Sequence, residues 1–204
     1  MKKYLSILAL TAIATGAFAQ GTLIFGNNGS TLVRQGGTST TDASATAVAA
    51  NGAVVELAWA ASSATYVPWN VGMNETAWLA ANPGWAVLTG PVNIAPIAGR
   101  FSGGTFTANT APAGALIQAV VLGWTGGGSF DAAWASGTSY TAIGPAFTVQ
   151  TGNPTTTPPG TAAPIVSSTA TPFTGLTLVQ VPEPATFALA GLGAAALLIF
   201  RRRK

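Results

Sequence analysis

The chain offers few residues able to do chemistry. Its 204 residues include no histidine and no cysteine. The commonest general base, the commonest metal ligand and the thiolate nucleophile are therefore all missing. Ser-His-Asp and Cys-His systems are excluded, as are imidazole and thiolate metal sites. Carboxylate chemistry remains. Asp42, Glu56, Glu75 and Asp131 precede the C-terminal tail, and Glu183 lies within it. Two carboxyls held about 5–9.5 Å apart can hydrolyse a glycoside, but none of the four falls in a recognisable motif. Asp131, near Ser129, lacks the spaced acidic loop of a calcium site. Gly126-Gly127-Gly128 and Gly103-Gly104 lack the lysine and helix of a phosphate loop and read as turns. The expectation is a protein with no catalytic residue, no metal and no cofactor.

Aromatic side chains are the other resource. Of six tryptophans, Trp59, Trp85 and Trp124 lie in apolar strand patterns and are expected in the core. Trp69, Trp78 and Trp134 lie near turns or short helices and are the candidates for stacking on a glycan, with core packing as the competing reading.

The elements that would position these residues are mostly strands. Residues 21–25 read as a strand ended by the Asn27-Asn28-Gly29 turn, with 31–34 as its hairpin partner. Asn51-Gly52 marks a turn. In residues 54–59, Val54, Glu56 and Ala58 alternate with Val55, Leu57 and Trp59, with 65–69 as a candidate partner. Asn74 can cap a helix over 75–81, stopped by Asn82-Pro83-Gly84, and Ser129 can cap a short one after it. Residues 116–124 form a near-continuous apolar run suited to a central strand covered on both faces. Residues 85–88 and 145–149 read as further short strands, and the proline-punctuated 91–99 as an edge. The expectation is an all-β fold, a single sandwich or jelly-roll-like domain over residues 20–150, with one or two short helices. Residues 151–180 read as a Thr/Pro-rich linker, bare or O-glycosylated, with a candidate last strand over 173–180.

The two ends carry most of the charge. Lys2 and Lys3, an apolar stretch over 5–13 and Ala17-Phe18-Ala19 have the layout of a secretory signal peptide over residues 1–19, cleaved before Gln20. Residues 185–200 carry no charge, and Arg201, Arg202, Arg203 and Lys204 follow. Sixteen residues of helix span roughly 24 Å, which snorkelling arginines extend towards a bilayer core of about 30 Å. A buried core helix would have no use for four terminal cations. The positive-inside rule keeps them cytoplasmic and puts the body outside. Six of the eight basic residues lie in these two segments. The net charge of +3 thus belongs to the ends, and the body is slightly acidic. Nucleic-acid binding loses its support.

Pro182-Glu183-Pro184, the apolar run and the basic end, in that order and abutting, closely resemble the PEP-CTERM sorting signal. The resemblance implies recognition of Pro182, Glu183 and Pro184 by an exosortase, a membrane transpeptidase-like enzyme. The tail would be cleaved and the body carried to the surface or matrix of a Gram-negative bacterium that makes exopolysaccharide. Signal peptidase and the export machinery would be the earlier partners, and the membrane a transient one. Gly123-Trp124, residues 129–133, Gly137-Thr138, Phe147 and Gly175-Leu176 resemble, more weakly, the bodies of many such proteins. The expected function is that of an exported surface or matrix protein. The alternative is a carbohydrate-binding module associated with exopolysaccharide.

Overall fold

The computed structural model describes residues 20–88, 90–156, 159–167 and 171–181. The expected signal peptide, Pro182, Glu183, Pro184, the apolar run and the basic end lie outside them. The described chain is mostly β-strand. Its elements are β1 (Gln20–Gly26), β2 (Val33–Gln35), β3 (Thr46–Ala47), β4 (Ala53–Ala61), α1 (Glu75–Ala81), β5 (Ala86–Val87), β6 (Val92–Asn93), β7 (Ser102–Pro112), β8 (Leu116–Thr125), α2 (Phe130–Ala135), β9 (Tyr140–Ile143), β10 (Phe147–Gln150), β11 (Ala163–Pro164) and β12 (Leu176–Gln180).

The strands form two sheets. The smaller runs β11-β1-β7, and the larger runs β3-β2-β12-β9-β8-β4-β5, with β10 also on β8 and β6 also on β4. The longest pairing in the larger sheet is the antiparallel β4–β8 ladder, in register from Ala53↔Thr125 to Ala61↔Ile117. Both strands alternate cleanly. Val55, Leu57, Ile117, Ala119 and Val121 point into a core shared with Leu23 and Phe25 of the smaller sheet. Ala58, Ala60, Val120, Leu122 and Trp124 point the other way, into a second core containing Trp78 of α1 and Phe130 of α2. The result is three layers: small sheet, large sheet, helices. Full burial of each large apolar side chain contributes about 1.5–3 kcal/mol, so a strand buried on both faces anchors two layers at once.

Gly123 allows a close approach on β8. A Cβ there would lie 2.9 Å from Leu178 Cδ2 and 3.0 Å from Leu176 Cδ2, so its missing side chain leaves room for β12 to pack against β8. A shift in register where Gly26 meets Ser102, after Phe25 has met Gly104, skips Gly103. The paired glycines thus form a bulge within β7 rather than a turn.

Three expectations are corrected. Residues 31–34 do not return along β1. The turn is fixed by Asn27, whose side-chain amide donates to the carbonyls of Thr31 (2.7 Å) and Gly99 (2.8 Å) and whose Oδ1 accepts from Phe101 N–H (2.8 Å). The chain then crosses to the larger sheet, where β2 runs parallel to β12. Residues 65–69 do not pair with β4, whose edges are taken by β8, β5 and β6. Their backbone is bound by side chains instead: Thr65 O accepts from Trp85 Nε1, Val67 O from Trp78 Nε1, and Val67 N–H donates to Asn82 Oδ1. Finally, the described residues of 151–172 are packed against the body rather than held off it as a linker, while the candidate last strand over 173–180 does form, as β12. Thr151 is buried, β11 pairs with β1, Ile165 and Phe173 reach the core, and β12 lies between β2 and β9. Threonines along 151–180 disguised the few apolar residues, Ile165, Phe173, Leu176 and Leu178, that hold this stretch down.

Because Asn27 serves three backbone groups at once, Asn27→Ala should destabilise the protein by about 2–4 kcal/mol, at roughly 1 kcal/mol or more per orphaned group. Urea unfolding would measure this, and a loss under about 1 kcal/mol would contradict the bridging role.

Candidate functional site

Three places bring functional residue types together. The first is the helical layer over the outer face of the large sheet. Asn74 Oδ1 caps α1 by accepting from Ala77 N–H at 2.8 Å. Asp131, in the first turn of α2, completes that cap from outside. Its Oδ1 accepts from the N–H groups of Glu75 (2.7 Å) and Thr76 (3.3 Å), and its Oδ2 from the Thr76 hydroxyl. The first three amides of α1 are thereby satisfied, and a carboxylate sits at the positive end of a helix. The proximity of Asp131 and Ser129 reflects helix docking: Ser129 caps α2 through Ala132 N–H. Among the described residues, no three His, Cys, Asp or Glu side chains converge to hold a metal ion.

Glu56 faces the same layer, on the side of β4 given by its alternation with Val54 and Ala58. Burial, with the nearby Glu75 charge adding to it, pushes the Glu56 carboxyl from the ordinary 4.5 up to about 7. Burial and then the Asp131 charge raise Glu75 as well. Asp42 goes the other way. Hydrogen bonds from the Ser44 side chain and then from the Thr38 and Ser44 amides hold it below its usual range. A carboxyl near 7 beside a second acid is chemically suited to proton transfer. The Asp131 oxygens, however, are occupied by α1, and neither Glu56 nor Glu75 lines the groove beside Trp69 or the cleft beside Arg100. The sequence carried the parity of Glu56 but not the helical layer that buries it.

The second place is the set of tryptophans. Trp78 is fully buried and donates to Val67 O at 3.0 Å. This corrects its candidacy for glycan stacking, since α1 turns the ring down onto Trp85 and Tyr66. Trp69 and Trp134 are half-buried, and their indole N–H groups donate to the carbonyls of Met73 (2.7 Å) and Val71 (2.9 Å). Trp85 and Trp124 are buried as expected, whereas Trp59 is only partly so.

The third place is the C-terminal end of β12. Val181 is 3% exposed, and its N–H donates to Ser139 O at 3.2 Å. Pro182 therefore follows a buried, hydrogen-bonded residue with no intervening spacer. The expected transmembrane helix over 185–200 lies outside the described residues, and among those that are described no helix is long and apolar enough to cross a membrane.

A β-rich body whose last strand runs straight into a Pro-Glu-Pro, apolar and basic tail has the layout of a protein sorted by its C-terminus. Residues 180–204 match the family model of the PEP-CTERM protein-sorting motif, and the chain carries that motif. The motif implies export, a membrane-anchored sorting signal and an exosortase as processing partner. No curated protein and no solved structure matches the chain.

The raised carboxyls set a pH dependence. Folded Glu56 holds its proton more tightly than the unfolded chain does. Its contribution to stability is therefore full below about 4.5 and lost as pH rises through about 7. Glu75 acts in the same direction, while the Asp42 effect falls at more acid pH. Stability should drop between pH 5 and pH 8 by on the order of 1 kcal/mol, after discounting for solvent screening. Glu56→Gln should flatten most of that slope in denaturant titrations at the two pH values. An unchanged slope would contradict the burial of this carboxyl.

Proposed function

We propose that this protein is a non-enzymatic surface or matrix protein, delivered by its tail. The observation that carries the reading is the sorting motif over residues 180–204, which begins in the last residue of β12. On this reading residues 1–19 are a signal peptide removed between Ala19 and Gln20. Gln20 opens β1 and is exposed, so a free terminus there fits the fold. The apolar run over 185–200 is a single membrane helix, with Arg201, Arg202, Arg203 and Lys204 on the cytoplasmic side. Exosortase grips Pro182, Glu183 and Pro184, where two prolines stiffen the chain into an extended form. It removes the tail and leaves a sandwich-like body at the cell surface.

The non-enzymatic part of the reading is supported by the fate of the acids. Asp131 caps a helix, Asp42 ties its own loop, and Glu56 and Glu75, though raised in pKa, line neither the groove beside Trp69 nor the cleft beside Arg100. Exopolysaccharide association, the alternative role, keeps one of its three tryptophans with a groove beside it, Trp69.

Intact-mass and peptide spectrometry of the protein from exosortase-bearing cells should find a C-terminus ending near residue 184. Glu183→Ala, or loss of the exosortase, should leave the chain in the membrane with its end intact. A C-terminus running through Lys204 in exosortase-bearing cells would sink the processing claim.

A further inference from the structure

Beside the end of β12 lies a groove of about 450 Å³, within the ~300–1,000 Å³ range of small-ligand clefts. It runs between the loop at residues 37–40 and the segment at residues 69–71, and Gln180 lines it too. None of its lining side chains is ionisable. Several polar groups there make no hydrogen bond to the described residues: the hydroxyls of Ser39 and Thr40, the side-chain nitrogen of Asn70 and the amide of Gln180.

Both sides of the groove are held in place. Thr177 N–H donates to Thr40 O at 2.9 Å, and the Thr177 hydroxyl donates to Asp42 O at 2.8 Å. Asp42 Oδ2 accepts from Thr38 N–H at 3.2 Å. Opposite, Trp69 is pinned by its bond to Met73 O and by an edge contact with Phe130 at 6.3 Å between ring centroids. Sites fixed before binding lose less entropy when they close on a ligand.

The lining restricts the ligand. A charged group would find no opposite charge to replace its water. A wholly apolar ligand would leave the amides and hydroxyls unpaired. A molecule with an apolar ring face and a rim of hydroxyls satisfies both surfaces. We propose that this groove binds a neutral saccharide, with a sugar face stacked on Trp69 and its hydroxyls bound by Ser39, Thr40, Asn70 and Gln180. Trp134 is not part of this site.

The test uses the full chain in a zwitterionic, sugar-free detergent, because alkyl-glycoside detergents would compete. Cellohexaose, maltohexaose and a neutral glycan array are the probes, with oligogalacturonate as the anionic comparator, read by calorimetry and tryptophan fluorescence. Saturable binding of at least one neutral glycan is expected. Trp69→Ala should weaken it by about tenfold or more, while Trp69→Phe keeps part of it. Trp69 contacts both cores, so its loss alone would be ambiguous. Gln180→Ala, at an exposed position, should weaken binding several-fold with an unchanged thermal melt, and so should Asn70→Asp, which removes the nitrogen but keeps the oxygen that accepts from Gly72 N–H. The proposal is overturned if no neutral glycan binds, if only oligogalacturonate binds, or if the three sites leave affinity unchanged. Competition by a Val181–Pro184 peptide in place of every sugar would assign the groove to the chain's own tail and overturn it equally. The readout is binding by unprocessed chain, so it fails or succeeds independently of tail cleavage.

Discussion

The structure depends on one strand being wanted on both sides. β8 is a near-continuous apolar run, Leu116 to Trp124 but for Gln118 and Gly123, and neither face can be left in water. One face meets the small sheet through the core around Leu23, Phe25 and Val121. The other meets the two helices through Val120, Leu122 and Trp124. Its edges are bound as completely, by β4 along one side and by β9 and β10 in succession along the other. A chain with 6% charged residues and no disulfide has little besides such burial to specify its layers.

That arrangement explains why the rare acids are where they are. Covering the outer face of β4 and β8 requires short helices, and short helices expose amides at their starts. Asn74, Ser129 and Asp131 answer that need with side-chain oxygens. Glu56 lies beneath the same cover because strand parity gives it no other direction. Its raised proton affinity follows from that position, and its presence beside Glu75 does not by itself make a site.

How much could be read in advance followed the range of the interaction. β8, β4, α1 and α2 were legible, because an apolar run, a period of two and capping residues are local signals. The positive-φ Asn51 turn (φ 61°) was legible for the same reason. The partners of β4 and β1 were not, since pairing is decided by the whole sheet. The parallel contacts of β12 with β2 and of β11 with β1 were hidden because strands of two to five residues in Thr- and Pro-rich surroundings carry no period. Trp78 was misjudged from its proximity to a turn, whereas its helix faces inward. The groove beside Trp69 had no sequence signal, because its sides come from residues some thirty positions apart and from the final strand.

The place of β12 also bears on the order of events during export. It is not an edge strand: among the described residues, β2 and β3 reach the rest of the large sheet through it. A chain emerging from its N-terminus cannot finish that sheet until residue 180 has crossed, and only four further residues separate that point from the apolar run. On the proposed topology the last piece of the fold arrives just as the tail comes to rest in the membrane. Completion of the large sheet and arrest of the chain would then fall close together in time.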